Sequence, residues 1–399
     1  MQRAGAGAIR RVTPLKLIFD VDAVRPPLTG VGRYAWELAQ GYAARLPSNR
    51  LKLYAAGRWV RDLERRLQGS MAGPALRRRV AALRLAGSAY RRALPLVARM
   101  RLRGFEDHVF HGPAYVVPPF AGVSVATIHD LSTYLYPEYH PPERVRHVNR
   151  GIENALRHAQ FLITDSEHVR RDLIDRFAWS PTQVATIPLG ASGHYRPGQR
   201  RQAHAYLASL NLEVDAFVLY IGTIEPRKNL EVLLDAYDGL APTLRRRFPL
   251  VFAGYEGWHS EAVHARIARA ASEGWARYLG YVDEAMMPAL TAAARLFVYP
   301  SRYEGFGLPV IEAMASGVPV IAANTSSLPE VTQGAARLLD PDDVAGWRGA
   351  IAELLENAHQ RMQMREAGLR QATGFTWDRT VDQTLACLQH VATSRGARA

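Results

Sequence analysis

The chain has 399 residues, 48% of them apolar and 22% charged, a formal net charge of +13 and a single cysteine, Cys387. This length allows two domains of ordinary size, and the composition excludes a disordered chain. One thiol excludes an internal disulfide framework and a multi-cysteine metal site, so a reducing compartment is the natural reading, and no apolar run approaches the roughly 20 residues of a membrane-spanning helix.

The start, MQRAGAGAIRRVTPLKLIFDVD, is basic, but its apolar run Leu15–Val21 is broken by Lys16 and Asp20. It reads as a first strand rather than a signal peptide. Gly30-Val-Gly32 then leads into a periodic helix from about Arg33 to Leu46. Further strands are expected at Ala121–Ile128, ending in His129-Asp130, at Phe161–Thr164, followed by Asp165-Ser166 and a helix, and at Val184–Pro188. Gly190–Gln202 is rich in glycine and basic residues and reads as a linker. The alternation then resumes: strands at Phe217–Ile221, Leu250–Ala253, Tyr278-Leu279, Leu296–Tyr299 and Val318–Ala322, with helices at Asn229–Leu240 and Pro309–Ala315, the latter closed by Gly317. Strands alternating with helices predict parallel sheets wrapped on both sides. Two such halves imply a cleft, with ligands at the carboxyl ends of the strands.

The charge is concentrated. Between Leu51 and Gly104 there are fourteen Lys or Arg against two acids, Asp62 and Glu64. Within this stretch, Arg77–Arg103 mixes arginine with Leu, Val and Ala at helical spacing, interrupted by Pro95. A cationic face backed by an apolar one can lie on an anionic membrane surface, or it can be a solvated face with a buried back. Nucleic acid is the weakest of the possible polyanionic partners.

Four constellations carry chemistry. In Glu304-Gly305-Phe306-Gly307-Leu-Pro-Val-Ile-Glu312 the glycines let a backbone approach a ligand closely. The adjoining helix offers free N–H groups to phosphate. Glu312, about one turn in, is placed to accept hydrogen bonds from a ribose diol, and Glu304 lies closer to a phosphate-linked group. Taken alone, these would be surface acids around a turn. In Gly222-Thr-Ile-Glu-Pro-Arg227-Lys228-Asn229 a forked and a point cation suit a diphosphate, though solvated loop cations are the bland alternative. Gly30-Val-Gly32-Arg33 is not a full dinucleotide fingerprint and has no acid about 20 positions on, which disfavours a dinucleotide cofactor. His129 ends a buried strand and reads as either functional or structural. Other histidines nearby lack ligand spacing, so no metal is expected. Neither a nucleophile elbow nor a GxxxxGK[ST] phosphate loop is present.

Together these motifs resemble the retaining family 4 glycosyltransferases of GT-B fold, most nearly the bacterial mannosyltransferases of O-antigen and related polysaccharides. The resemblance runs from Gly30 to the C-terminal helix. It implies two Rossmann-like domains facing a central cleft, with an acceptor-binding domain at 1–195, a nucleotide-sugar domain at 196–375, and a final helix, 376–399, crossing back. By the same resemblance Glu312 holds the ribose, Arg227 and Lys228 hold the diphosphate, and Glu304 with Gly305, Phe306 and Gly307 addresses the donor sugar. His129 contacts the sugar near the reacting carbon, Gly32 lies against the diphosphate, and the backbone at Tyr281-Val282 cradles the base. Many relatives place an arginine soon after the glycine that closes the first strand of the second domain; here Thr223 follows Gly222, and Arg227 stands as the substitute. The implied reaction is metal-independent transfer, with no cofactor, from a sugar nucleotide such as GDP-mannose to a lipid-linked oligosaccharide. It would take place at the cytoplasmic face of the plasma membrane, with the Arg77–Arg103 segment on the lipid. A noncatalytic membrane or polyanion binder and a sugar-nucleotide epimerase of the same fold are the competing readings.

Overall fold

A computed structural model describes residues 14–28, 30–68 and 96–396. Most of the basic stretch, residues 69–95, lies outside the described residues. Packing divides the chain into two units. One comprises Met1–Thr127, Glu153–Leu162 and Val381–Ala399; the other comprises Ile128–Ile152 and Ile163–Thr380.

The first sheet contains β1 (Leu17–Asp20), β2 (Leu51–Ala55), β3 (Arg58–Val60), β4 (Val109–Gly112), β5 (Val123–Ile128), β6 (Phe161–Thr164) and β7 (Val184–Thr186), in the order β3-β2-β1-β4-β5-β6-β7. β1 pairs in parallel with β2 and β4, and β4 with β5; only the β2–β3 hairpin is antiparallel among these pairings. β4 and β5 are buried at every residue, as strands covered on both faces must be. A polar thread crosses this core: the Tyr42 hydroxyl lies 3.1 Å from His111 Nδ1, and His111 Nε2 lies 3.0 Å from Thr127 Oγ1. His111 is thus a structural histidine.

β2, β3 and β4 are strands that the sequence reading does not contain. β3 is short and opens on Arg58, and the apolar run of β2 is broken by Lys52. Its ammonium lies over the rings of Trp59 and Phe105, at 5.8 and 5.1 Å from their centroids, so the charge reaches out while the stem covers apolar surface. β4 is only four residues long and carries a histidine. A second difference concerns α1 (Gly30–Arg45), whose first turn takes in Gly30-Val-Gly32 instead of following it as a loop. The C-terminal stretch is tied into the first unit through Arg45 Nε on Asp382 Oδ1 at 2.6 Å and Leu15 N on Gln389 Oε1 at 3.0 Å.

The second sheet is parallel throughout: β8 (Val218–Ile221), β9 (Leu250–Ala253), β10 (Ala276–Tyr278), β11 (Leu296–Tyr299), β12 (Val320–Ala323) and β13 (Arg337–Leu339), in the order β10-β9-β8-β11-β12-β13. Numbered within the sheet this is 3-2-1-4-5-6, the doubly wound order of a Rossmann domain. The order reverses between β8 and β11, so the crossovers leave those two neighbours in opposite directions and open a crevice at their carboxyl ends.

Two helices flank the later strands of this sheet. α2 (Leu308–Ala315) links β11 to β12, and α3 (Val344–Glu356) comes after β13. α2 ends in a Schellman motif: Val318 N–H donates to Ala313 O and Gly317 N–H to Met314 O, with Gly317 at φ +72° where a side chain would be strained.

Candidate functional site

The chain after β8 turns at once into a 3₁₀ segment, Pro226–Lys228, capped by the Glu225 carboxylate, which accepts from Arg227 N–H at 3.0 Å. Asn229 adopts a left-handed conformation, φ 55°, and its side-chain amide donates to Pro300 O and Pro341 O. This pins the loop and turns Arg227 and Lys228 inward rather than into solvent. The loop after the neighbouring strand β11 brings Glu304 to meet them. Lys228 Nζ donates to Glu304 Oε1 at 2.5 Å and to the Tyr299 hydroxyl at 3.0 Å. Arg227 Nη1 lies 3.4 Å from Glu304 Oε2, its Nη2 2.8 Å from Glu225 Oε1, and it donates to Tyr303 O at 2.5 Å.

All three charged partners, Glu225, Lys228 and Glu304, are buried, so the charges are held by one another and not by water. Burial works to raise the Glu304 carboxyl, but the Lys228 and Arg227 charges outweigh it and hold the group below its ordinary value. Burial, with the adjacent Arg227 cation, pushes Lys228 down. Arg227 is driven the other way: burial opposes its charge, while Glu304, Glu225 and Asp130 more than compensate.

Three hydroxyls fix the glycine loop. Ser326 Oγ accepts from Glu304 N–H at 2.9 Å, Ser327 Oγ donates to both Glu304 O and Phe306 O, and Ser166 Oγ donates to Gly305 O at 2.7 Å. Gly305 passes so close to the His129 carbonyl that a Cβ there would lie 1.9 Å from the oxygen. The Phe306 side chain is buried edge-on against Phe375, 5.7 Å between centroids, so this residue presents backbone. Gly307 is the N-cap of α2, and Glu312 is that helix's fifth residue and partly exposed.

His129 follows β5, and its Nδ1 donates to Asp165 Oδ2 at 2.7 Å. Asp165 follows β6; burial raises its pKa, partly offset by His129. The next residue along from His129, Asp130, accepts from Ser132, and although burial opposes its charge, Arg227 holds its carboxyl below the usual range. His129, Asp130, Asp165, Arg227, Lys228, Glu304 and the glycine loop all belong to the second unit. Val282 is buried in that unit beside Tyr281, which stacks on Tyr255 with centroids 4.8 Å apart. Gly32 belongs to the first unit, where a Cβ would lie 2.9 Å from Ala23 O.

The structure therefore joins Arg227, Lys228 and Glu304 in one ion cluster and sets His129 against the loop that carries Glu304. Sequence reasoning did not single out Glu225, Asp165, Tyr299 or the three serines as site residues. Asp165 had a readable signal: it follows β6 just as His129 follows β5, and parallel neighbours end at the same edge. The serines had none, because their role depends on which loops meet.

Known proteins share both the sequence and the fold. A family model described as glycosyl transferases group 1 matches residues 206–371. O-antigen chain mannosyltransferase B of Escherichia coli is 37% identical over 375 residues, which cover 93% of this chain and 98% of that protein. Serotype-specific mannosyltransferase WbdA of Escherichia coli is 35% identical over 170 residues, 42% of this chain and 21% of that one. Among solved structures the fold is shared with WaaG, a glycosyltransferase involved in lipopolysaccharide biosynthesis (TM-score 0.67, 14% identity, 93% of this chain and 99% of that one), and with Anabaena HepE (TM-score 0.67, 17% identity, 94% and 99%).

Proposed function

The chain belongs to the group 1 glycosyl transferases, and from that premise we propose that it moves mannose, with retention, from GDP-mannose to a lipid-linked oligosaccharide of a cell-surface polysaccharide. The observation that carries this reading is the largely buried Arg227–Lys228–Glu304 cluster, with only Arg227 partly exposed, at the point where the second sheet reverses its order. A diphosphate laid beside buried Lys228 and partly buried Arg227 adds the negative charge that their desolvation and mutual repulsion favour. Arg227 offers a planar fork and Lys228 a point charge. The N–H groups at the start of α2, reached through Gly305 and Gly307, complete the cradle, and Glu312 reaches the ribose. Neither glutamate is an acid or nucleophile of the hydrolase kind. The departing phosphate oxygen takes the acceptor's proton as the new bond forms on the same face, so no unusually strong base and no metal is required. His129, oriented by Asp165, donates toward the sugar near the reacting carbon.

The acceptor side falls to the N-terminal half, residues 1–195 in this reading, whose Gly32 lies against the diphosphate, with 196–375 holding the donor. Membrane attachment is assigned to the basic stretch. Its described end supports this: Leu96 and Met100 are 63% and 69% exposed among Arg99, Arg101 and Arg103, an apolar and cationic mixture suited to an anionic interface. No helix among the described residues is long and apolar enough to cross a membrane.

The deciding experiment is a thermal-shift and turnover panel of GDP-, UDP- and dTDP-sugars with a lipid-linked acceptor. Stabilisation and transfer with GDP-mannose, and an α-product from the α-donor, are expected. Equal response to all bases, or donor turnover without acceptor, overturns the reading in favour of a different donor or of an epimerase.

A further inference from the structure

The opposite edge of the second sheet carries a second concentration of charge. Asp215 precedes β8, Arg295 immediately precedes β11, and Ser316-Gly317 ends α2 just before β12. Together with Arg200, Arg361 and Arg365 these residues line a pocket of about 260 Å³. Four guanidinium groups thus face one carboxylate.

Part of this is structural. Arg295 donates to Leu355 O at 3.0 and 2.7 Å and to Asp215 Oδ2 at 2.9 Å, and Arg361 donates to Leu354 O and Leu355 O, so both close the C-terminal end of α3. Arg200 Nη2 stands 3.4 Å from Asp215 Oδ1. Helix capping and one shared carboxylate do not account for the remainder. Arg365 has no hydrogen bond or ion pair among the described residues, yet it lies over Gly317, where a Cβ would meet its Nε at 3.2 Å. Ser316 is 3% exposed, its hydroxyl has no partner among the described residues, and it lines the same pocket. A buried unpaired hydroxyl in a pocket of surplus cations marks a place where an acceptor belongs. Burial and the neighbouring Arg295 charge push Arg361 below its ordinary value, the mark of cations held together against repulsion.

We infer that this pocket is a second anion site, taking a small phosphoryl anion between Arg200, Arg361 and Arg365 with the Ser316 hydroxyl as an added donor. The guanidinium fork suits phosphate oxygens. The volume is below that of sites for drug-sized ligands, which favours one or two phosphates over a whole nucleotide. The site stands apart from the Arg227–Lys228 cluster, being at the amino rather than the carboxyl ends of the same strands, and does not depend on the assignment of that cluster.

The test is calorimetric titration of the full chain with inorganic pyrophosphate, in wild type and in Arg365→Ala, Arg200→Ala and Lys228→Gln variants. The expected result is a saturable event that survives in Lys228→Gln and is about tenfold or more weaker in Arg365→Ala and in Arg200→Ala. Arg365 is exposed, so its variant is expected to fold, and an unchanged melting temperature checks this. Dependence of all binding on Lys228, indifference to Arg365, or the lack of any saturable event each overturns the proposal. Vesicles containing phosphatidic acid distinguish the source. Arg365-dependent vesicle binding assigns the phosphoryl group to a lipid; its absence beside retained pyrophosphate binding assigns it to a soluble ion.

Discussion

The two edges of the second sheet handle positive charge in opposite ways. At the carboxyl edge Arg227 and Lys228 are interleaved with Glu304 and Glu225 away from water, and each charge has a counter-charge within 3.4 Å. At the amino edge Arg200 and Arg295 share Asp215, and Arg361 and Arg365 line the same pocket without a carboxylate of their own among the described residues. The first arrangement is preorganised and intolerant of losing a member. The second is a reservoir that can lose an exposed arginine at small consequence to the fold. The same residue type thus serves rigidity at one end of a strand and capture at the other.

The sharpest way to break this contrast is Glu304→Ala. It leaves buried Lys228 and partly buried Arg227 with too little counter-charge, so a loss of about 3–5 kcal/mol is expected in chemical unfolding, against about 0.5 kcal/mol or less for Arg365→Ala. Lys228→Gln is expected to reduce transfer by about 10²–10³ in initial-rate assays, with Arg365→Ala within about twofold of wild type. Gly305→Ala drives a methyl group into the His129 carbonyl; a destabilisation of about 1–3 kcal/mol is expected, together with impaired transfer, measured by melting temperature and rate. Asp165→Asn removes the carboxylate that holds the His129 ring and is expected to slow transfer about tenfold with little change in donor KM. The smallest effect is in pH. Glu304 is held below its ordinary value of 4.5, so in acid the unfolded chain binds the proton first. Stability from this group is complete above 4.5 and is lost as pH falls through its lower folded-state value. Glu304→Gln should remove that segment of the acid-unfolding curve.

Much of this was legible in the sequence, and the reasons are local. β9 and β11 coincide with Leu250–Ala253 and Leu296–Tyr299 because each is a short apolar run bounded by turn residues. The Glu304–Gly307 loop and the start of α2 were readable because glycine, proline and a helix pattern stand side by side. What stayed hidden depends on tertiary contact. Lys52 masks β2 until Trp59 and Phe105 are seen beneath it. Arg200 lies in a stretch that reads as linker, and only the sheet edge gives it a pocket. Arg227 and Lys228 read as loop cations suited to a diphosphate, but not as partners of Glu304, which Asn229 makes them by folding that loop.

α2 has eight residues, with Glu312 fifth and the Ser316-Gly317 stop at its far end. At 1.5 Å and about 100° per residue, it is a spacer of about 12 Å whose phase is fixed at both ends. Adding or deleting a single residue would swing the acid a quarter-turn out of place and pull the Schellman glycine off its arginine. α2 itself should therefore accept changes of residue but not of number.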